Sequence, residues 1–285
     1  MLIEELKEKF LEDLQLKNKS PQTINSYSKD IRFFQQFLEG HINGQVYIED
    51  ITEEDIEAYI KYLRNVRKLQ PRSQNRYISS IRSMYIYAFK KRIIKVNVAQ
   101  YIENVQYLRK ERDYLNLQEL EVLFAHIEHP LVKIAVMTMA YAGLRISELI
   151  DLKLSDVDLV NKTMKVTGKG DKQRIVPISD TLHEILKDYL ANLHPRNSEY
   201  FFATKKTGRL SAQYVNKIIR ESVKKAGITK KVSAHTLRHS FASHLIKSKV
   251  DVATLQRLLG HTNVRTTSVY LHTDYDQLKE AVNVW

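Results

Sequence analysis

Apolar residues recur at helical spacing along the first hundred residues of the chain. The first long run follows Ser20 and Pro21, which have the form of a helix cap and a proline at the first helical position. Gly40 comes soon after the run, so the pattern predicts a helix that begins near residue 21 and ends at Gly40. The apolar positions of this run are Ile24, Tyr27, Ile31, Phe34 and Leu38.

Two further helices are predicted before residue 100. Thr52, with Asp55 three residues later, has the form of a capping box, and the helix that follows would bury Ile56, Ile60 and Leu63. A third helix is predicted from about residue 72 to about residue 92. Its apolar stripe consists of Ile78, Ile81, Tyr85, Ala88 and Phe89.

The second half of the chain adds a short β-hairpin to a helical pattern. A helix should end at Gly143, and two β-rich runs, residues 163–167 and 174–178, flank the turn GKGD. Further helices are predicted at about 181–193, 211–226, 234–247, 251–259 and 264–271. The fold class is therefore mainly α with a small β-sheet. Residues 107–116 are charged and non-periodic, so we predict a helical N-terminal domain (1–106), a linker (107–116) and a mixed, mostly helical domain (117–285).

Composition narrows the choice of partner. Lys and Arg outnumber Asp and Glu by 45 to 33, a net charge of +12 that suits a polyanion. There is no cysteine, which excludes disulfides and thiolate metal sites and fits a reducing compartment. The first ten residues alternate charged and apolar side chains, unlike a signal peptide, and no run is long and apolar enough to cross a membrane. We expect a cytoplasmic protein.

Acidic residues are missing from one long stretch. Residues 58–102 contain no Asp or Glu, while residues 61–95 carry eleven Lys or Arg. A merely solvated basic face is the usual explanation of a charge run, but the other helices of this chain mix both signs. The stretch therefore favours contact with DNA phosphates. The candidate contacts are Arg72, Arg76, Lys90, Lys91 and Arg92.

The segment SAHTLRHSFASHL carries a histidine and an arginine three residues apart. On a helix His235 and Arg238 would project from one side, where a guanidinium can grip two phosphate oxygens and an imidazole can donate to them or relay a proton. His235 and His239 also have the spacing of a zinc-binding helix. A metallohydrolase is disfavoured because Thr236 stands where its general base would be and Arg238 would repel a cation, so His239 is predicted to be a core residue.

Three other motifs supply candidate groups. In AGLRISEL, Glu148 could fix the side chain of Arg145 by a charge-assisted bond. In GKGDKQRIVP, Lys169 at a hairpin tip could protonate a leaving oxygen, although on charge alone Lys172 or Arg174 would serve as well. In LLGHTNVRTTSVY, Tyr270 follows His261. A phenol is a poor nucleophile at neutral pH, and it becomes useful where cations stabilise the phenolate and the charge that builds on phosphorus.

In order and separation these four motifs resemble the tyrosine recombinase (phage integrase) family, most closely its compact Xer-type members. The stretch SPQTINSYSKDIRFFQQFL resembles the family's helical core-binding, SAM-like domain, and residues from about 114 onward resemble its catalytic domain. The resemblance implies that Arg145, Arg238 and His261 bind the oxygens of the scissile phosphate. Tyr270 would attack the phosphorus.

The resemblance also implies the remaining roles. Lys169 would be the general acid for the 5′-hydroxyl leaving group, His235 would assist proton movement, and Glu148 would support the site from behind. The product would be a 3′-phosphotyrosyl link, resealed through a Holliday junction, with no metal, nucleotide or other cofactor. The implied substrate is double-stranded DNA with a specific recombination site, bound by a homo-tetramer, with room for a partner recombinase or an accessory protein.

The biological task implied is resolution of chromosome or plasmid dimers, or resolution or integration of a mobile element. An apolar stripe at the end of the chain would dock on a neighbouring protomer or on its own domain; its members are Leu278, Ala281 and Trp285. Two alternatives are a DNA-relaxing enzyme of related chemistry and a non-catalytic DNA-binding accessory protein. Retention of all six candidate groups disfavours the accessory protein, and the compact N-terminal domain favours strand exchange over relaxation.

Overall fold

The computed structural model describes residues 1–108, 113–168 and 171–260. The chain divides into two compact units, residues 1–110 and 111–285, and each encloses a hydrophobic core of its own. Lys169, His261 and Tyr270 lie outside the described residues, as do the helix predicted at 264–271 and the stripe of Leu278, Ala281 and Trp285.

The described residues of the first unit form four helices, and two of them begin at the predicted caps, Ser20 and Thr52. The Oγ of Ser20 accepts the backbone N–H of Thr23 at 3.3 Å. At the next helix, Thr52 and Asp55 form the predicted capping box, in which the side chain of each accepts the backbone N–H of the other. The helices are α1 (Ile3–Leu16), α2 (Pro21–Ile42), α3 (Glu53–Asn65) and α4 (Pro71–Lys90).

Two details predicted for these helices are wrong. Helix α2 continues through Gly40 and ends at Asn43, which adopts the left-handed conformation with φ of 58°. Glycine tolerates a helix interior at a cost of about 1 kcal/mol, so Gly40 alone does not end the helix. Phe89 is 50% exposed, because the buried stripe of α4 runs through Ala88 and Phe89 lies about 100° further round the helix, next to its end.

The second unit combines seven α-helices with one small sheet within its described residues. The helices are α5 (Leu117–Ala125), α6 (Pro130–Ala142), α7 (Ile146–Asp151), α8 (Asp180–Asn192), α9 (Ala212–Lys225), α10 (Ala234–Lys247) and α11 (Val252–Leu259). A single turn of 3₁₀-helix, Leu154–Asp156, precedes the sheet. The predicted class, mainly α with a small β-sheet, is confirmed.

Helix α6 lies at the centre of the second core. Nine of its thirteen residues are buried, and it packs against α5, α8, α9 and α10. It ends at Gly143, as predicted, in the left-handed conformation with φ of 64°. Leu115, at the end of the predicted linker, is fully buried in this core, and its N–H donates to the Oγ of Ser240 at 2.8 Å.

The sheet consists of three antiparallel strands in the order β1 (Val157–Asp158), β2 (Thr163–Thr167) and β3 (Gln173–Pro177). Strands β2 and β3 are the predicted hairpin, and Thr167 pairs with Gln173 at its tip. Strand β1 was not predicted because two residues give no alternation to recognise. The N–H of Gly168 donates to the carbonyl of Lys172 at 2.8 Å, so the pairing of the two arms of the hairpin continues as far as the residue before Lys169.

Helix α11 is attached to α10 by a separate, small apolar cluster. Its buried members are Ala242, Leu255 and Leu259, with Phe241, Leu245 and Ile246 packed against them. Among the described residues of both units, no helix is long and apolar enough to span a bilayer.

Candidate active site

Three arginines converge on one buried carboxylate in the second unit. Glu148, 2% exposed, lies in α7, and Arg145 precedes the first turn of that helix. The backbone N–H of Arg145 donates to Glu148 Oε2 at 2.8 Å, and its Nη1 donates to Oε1 at 2.6 Å. The predicted contact between the two side chains is therefore present. It is a contact to a buried acid, whereas an exposed pair at this spacing would contribute only a few tenths of a kcal/mol.

Arg174 of β3 makes the most complete contact with this carboxylate. Its Nη1 and Nη2 donate to the two oxygens of Glu148, each at 2.9 Å, and its Nε donates to the carbonyl of Leu258 at 2.8 Å. The side chain is 11% exposed. Two parallel hydrogen bonds of this kind fix the orientation of the guanidinium group as well as its distance from the carboxylate. Arg174 thus joins the hairpin, α7 and the last turn of α11.

Arg238 reaches the same place from α10. It is buried, 4% exposed, with Nη1 3.6 Å from Glu148 Oε2. Its Nη1 also donates to the carbonyl of Gly143 at 2.7 Å, and its Nη2 donates to the carbonyl of Leu259. Cations near the C-terminus of a helix interact favourably with its dipole, and Arg174 and Arg238 both lie there against α11.

Gly143 is required where α6 turns into α7. A methyl group added there would lie 2.4 Å from the ring of Phe241, and the left-handed φ would strain any other residue. The close approach of this turn to α10 is what brings the Gly143 carbonyl within reach of Arg238. The glycine of the motif AGLR is therefore needed for the left-handed turn at the end of α6 and for the close approach of that turn to α10.

The charges at this site hold Glu148 ionised. Burial by itself would raise the pKa of Glu148, but the hydrogen bonds from Arg174 and from the Arg145 backbone, with the positive charge of Arg174, lower the pKa to about 2. One negative charge is surrounded by three positive ones, so the cluster has a formal charge of +2. Such a site suits an anion with two accessible oxygens, such as a phosphodiester.

The two candidates of α10 have opposite exposures. His235 is exposed in the first turn, and Arg238, one turn later, is buried. Residue type alone would predict a buried His235 and an exposed Arg238, because arginine is rarely buried unless it is paired. His239 is a core residue, as predicted: it is 5% exposed, with its ring edge-on to that of Tyr114 at 6.3 Å between centroids.

Two glycines that directly precede candidate residues, Gly168 and Gly260, lie against the cluster. A methyl group on Gly168, the residue before Lys169, would lie 3.5 Å from Glu148 Oε1. A methyl group on Gly260, the residue before His261, would lie 2.9 Å from Cδ of Arg174. The backbone immediately before each of these two candidates is thus packed on the Glu148–Arg174 pair.

Arg174 is the participant that the sequence did not single out. On charge alone, the sequence indicates Arg174 only as a possible replacement for Lys169 in protonating the leaving oxygen. The sequence signal available was its register: in a strand, Arg174 and Val176 point to the same face, and Val176 is buried. A charged residue on the inward face of a strand indicates a buried partner.

The candidate DNA contacts of the first unit fall into two kinds. Arg72, Lys90, Lys91 and Arg92 are exposed at the two ends of α4. Arg76 instead pairs with Asp30, which is 1% exposed and also accepts from the Oγ of Ser80 at 2.8 Å. Burial raises the pKa of Asp30 in spite of these partners. The positive charge of Arg76 is therefore paired with Asp30 within the first unit.

Two known family domains together match most of the chain. Residues 113–277 match the phage integrase family, and residues 6–95 match the phage integrase N-terminal SAM-like domain. The tyrosine recombinase XerD of Staphylococcus saprophyticus subsp. saprophyticus is 35% identical over 290 residues, covering 97% of this chain and 96% of the relative.

Solved structures give the same result. The XerH site-specific recombinase bound to difH substrate in a pre-cleavage complex is 27% identical, with a TM-score of 0.74 over 96% of this chain and 84% of that one. The Tn1549 transposon integrase in complex with a circular intermediate DNA has a TM-score of 0.82 over 99% of both chains at 17% identity, a likeness of fold. The chain belongs to the phage integrase family and is a site-specific tyrosine recombinase of the Xer type.

Proposed function

We propose that this recombinase cuts and rejoins double-stranded DNA at a specific site through a 3′-phosphotyrosyl intermediate and a Holliday junction. The observation that supports this is the Glu148 cluster, which draws Arg145 and Arg238 from different helices to one buried acid. Two guanidinium groups held in this way can neutralise the non-bridging oxygens of a phosphodiester. Loss of one such donor costs on the order of 10²- to 10³-fold in rate.

The remaining roles complete the reaction. The phenolic oxygen of Tyr270 attacks phosphorus, a P–O bond to tyrosine forms and the P–O bond to the 5′ oxygen breaks. Lys169 donates a proton to that leaving oxygen, and His235 takes part in moving the tyrosine proton. His261 donates to a non-bridging oxygen. The 5′-hydroxyl of another strand then attacks the phosphotyrosine, which restores the diester and the free phenol, so that no bond energy is lost.

Residues 1–106 would form the core-binding domain and residues 117–285 the catalytic domain, joined by the linker 107–116. The exposed basic residues of α4 would contact DNA phosphates; they are Arg72, Lys90, Lys91 and Arg92, with a weaker contribution from Arg76. Four protomers would assemble on one pair of sites, with a partner recombinase or accessory protein in some reactions. The proposed task is resolution of dimeric DNA, or resolution or integration of a mobile element, in the cytoplasm.

The test is covalent trapping on a nicked suicide substrate that carries candidate sites. After cleavage the short fragment diffuses away, and the protein remains attached to DNA on a denaturing gel. Tyr270→Phe should abolish the adduct and leave binding to the site largely unchanged. Tyr275→Phe, a change of the same kind five residues later, is the matched control and should retain the adduct. An adduct that persists in Tyr270→Phe refutes the nucleophile assignment.

A further inference from the structure

Arg174 has no role in the reaction as proposed above, yet its side chain makes the most complete set of contacts with Glu148. Its two terminal nitrogens satisfy both oxygens of Glu148 at 2.9 Å, whereas Arg145 reaches one oxygen with its side chain and Arg238 stands 3.6 Å away. Arg174 is 11% exposed, against 33% for Arg145. Arg238 is buried as well, at 5%, so Arg145 is the most exposed of the three arginines.

A carboxylate and a phosphodiester compete for the same guanidinium groups. Both present oxygen pairs to which an arginine fork can donate. Glu148 already accepts from Arg145 at 2.6 Å. If Arg174 were absent, Arg145 and Arg238 would be the remaining cationic partners of Glu148 in the cluster, and the carboxylate would compete more strongly with substrate for both. With Arg174 present, the acid is already satisfied, and the cluster keeps a formal charge of +2 to offer to a phosphate.

The same side chain also fixes the end of α11. Its Nε donates to the carbonyl of Leu258, and a methyl group on Gly260 would lie 2.9 Å from its Cδ, so any other residue at this position would displace Arg174. Gly260 has φ of 61°, which glycine adopts without strain. Arg174 therefore sets the position of α11 relative to Glu148.

We propose that Arg174 is a positioning residue for strand cleavage: it occupies Glu148 so that Arg145 and Arg238 are presented to the scissile phosphate, and it fastens the end of α11 to the same carboxylate. This inference rests on the function proposed above. It assigns to Arg174 an effect on the chemical step that is exerted through Glu148, without contact with the reacting atoms.

The test uses charge restoration in the full-length protein. Arg174→Met removes one positive charge and leaves the cluster at +1; Glu148→Gln in the same chain brings the cluster back to +2. We expect Arg174→Met to slow single-turnover cleavage of the suicide substrate at saturating protein on the order of 10- to 100-fold, by analogy with the loss of the contacts that orient metal ligands. The dissociation constant for site DNA should change much less.

The double variant Arg174→Met/Glu148→Gln should cleave faster than Arg174→Met, because the competing carboxylate is gone. A purely structural role predicts the opposite, since a second buried substitution would add to the damage. Arg174→Lys, which keeps the charge and loses the fork, should fall between wild type and Arg174→Met. Circular dichroism and a melting curve establish that each variant is folded before its rate is compared.

Arg209→Met is the matched control. Arg209 also donates its Nε to a backbone carbonyl, that of Ile150 at 3.2 Å, and pairs with a carboxylate, Asp151, but it does so on the surface. Its loss should leave the cleavage rate unchanged. The proposal is overturned if Arg174→Met cleaves like wild type, or if the double variant is no faster than Arg174→Met. A wild-type protein that forms no Tyr270 adduct would overturn the proposed function as well, so the two failures are distinguishable.

Discussion

Replacing Glu148 with glutamine should destabilise the second unit strongly at neutral pH. The substitution keeps the shape of the side chain and removes the charge that balances three arginines, of which Arg174 and Arg238 are 11% and 5% exposed. A pKa lowered from 4.5 to about 2 corresponds to about 3 kcal/mol of stability. Removal of one partner from a buried ion pair costs about 3–5 kcal/mol, which agrees.

The sign of the pH dependence follows from the direction of the pKa change. Because the pKa of Glu148 is lower in the folded state, its contribution is complete well above pH 4.5 and is lost as the pH falls toward about 2. The difference in unfolding free energy between wild type and Glu148→Gln should be about 3 kcal/mol at pH 7. It should shrink by about 1 kcal/mol at pH 3.5, since protonation of the unfolded state then competes.

Urea unfolding of the full-length protein, followed by circular dichroism at pH 7, 5 and 3.5, measures this difference. Glu128→Gln is the control, because Glu128 pairs with Lys225 at 2.6 Å on the surface, 79% exposed, where an ion pair contributes little. The reasoning is refuted if Glu148→Gln is as stable as wild type at pH 7, or if the gap between them stays constant down to pH 3.5.

Two further predictions concern the first unit. Replacing Lys90 and Lys91 together with glutamine should weaken DNA binding and reduce the slope of log affinity against log salt by about 2, provided that each lysine neutralises one phosphate, as measured by titration at several salt concentrations. Tyr85→Phe should leave thermal stability unchanged or raise it, because the buried Tyr85 hydroxyl has no hydrogen-bond partner among the described residues; a drop in melting temperature would contradict this.

Each of these two predictions has a matched control. For the lysines, Lys9 and Lys19 are exposed in the same unit outside the acid-free stretch, and their replacement should leave the salt slope unchanged. An equal effect from the two pairs would show that only total charge matters. For the tyrosine, Tyr189→Phe should destabilise, because the Tyr189 hydroxyl donates to the carbonyl of Phe201 at 2.8 Å.

The sequence predicts those features that neighbouring residues determine. Caps at Ser20 and Thr52, the stop at Gly143 and the hairpin all follow from short-range chemistry, and the structure confirms them. Gly40 was misjudged because a glycine ends a helix only where the backbone turns left-handed, and Asn43 provides that turn instead. The local sequence does not show whether Gly40 or Asn43 adopts the left-handed conformation that ends the helix.

The site depends on contacts that no local pattern reports. The pair of Arg174 with Glu148 joins residues 26 positions apart, and the bond of Arg238 to Gly143 joins residues 95 apart. The motifs indicated Arg145, Glu148 and Arg238, but the burial of Arg238 and the central place of Arg174 required the packed structure. The assignments of Lys169, His261 and Tyr270 stay predictions.

Helix α11 is held by a small apolar cluster and by polar bonds at its C-terminal end. Two of its residues are buried, in a cluster set apart from the main core, and its last carbonyls are held by Arg174 and Arg238. A segment with few buried apolar contacts can open locally at a lower free-energy cost than global unfolding. When Arg238 binds a substrate anion, the same guanidinium group also holds the carbonyl of Leu259, so occupancy of the site and detachment of this helix depend on the same side chain.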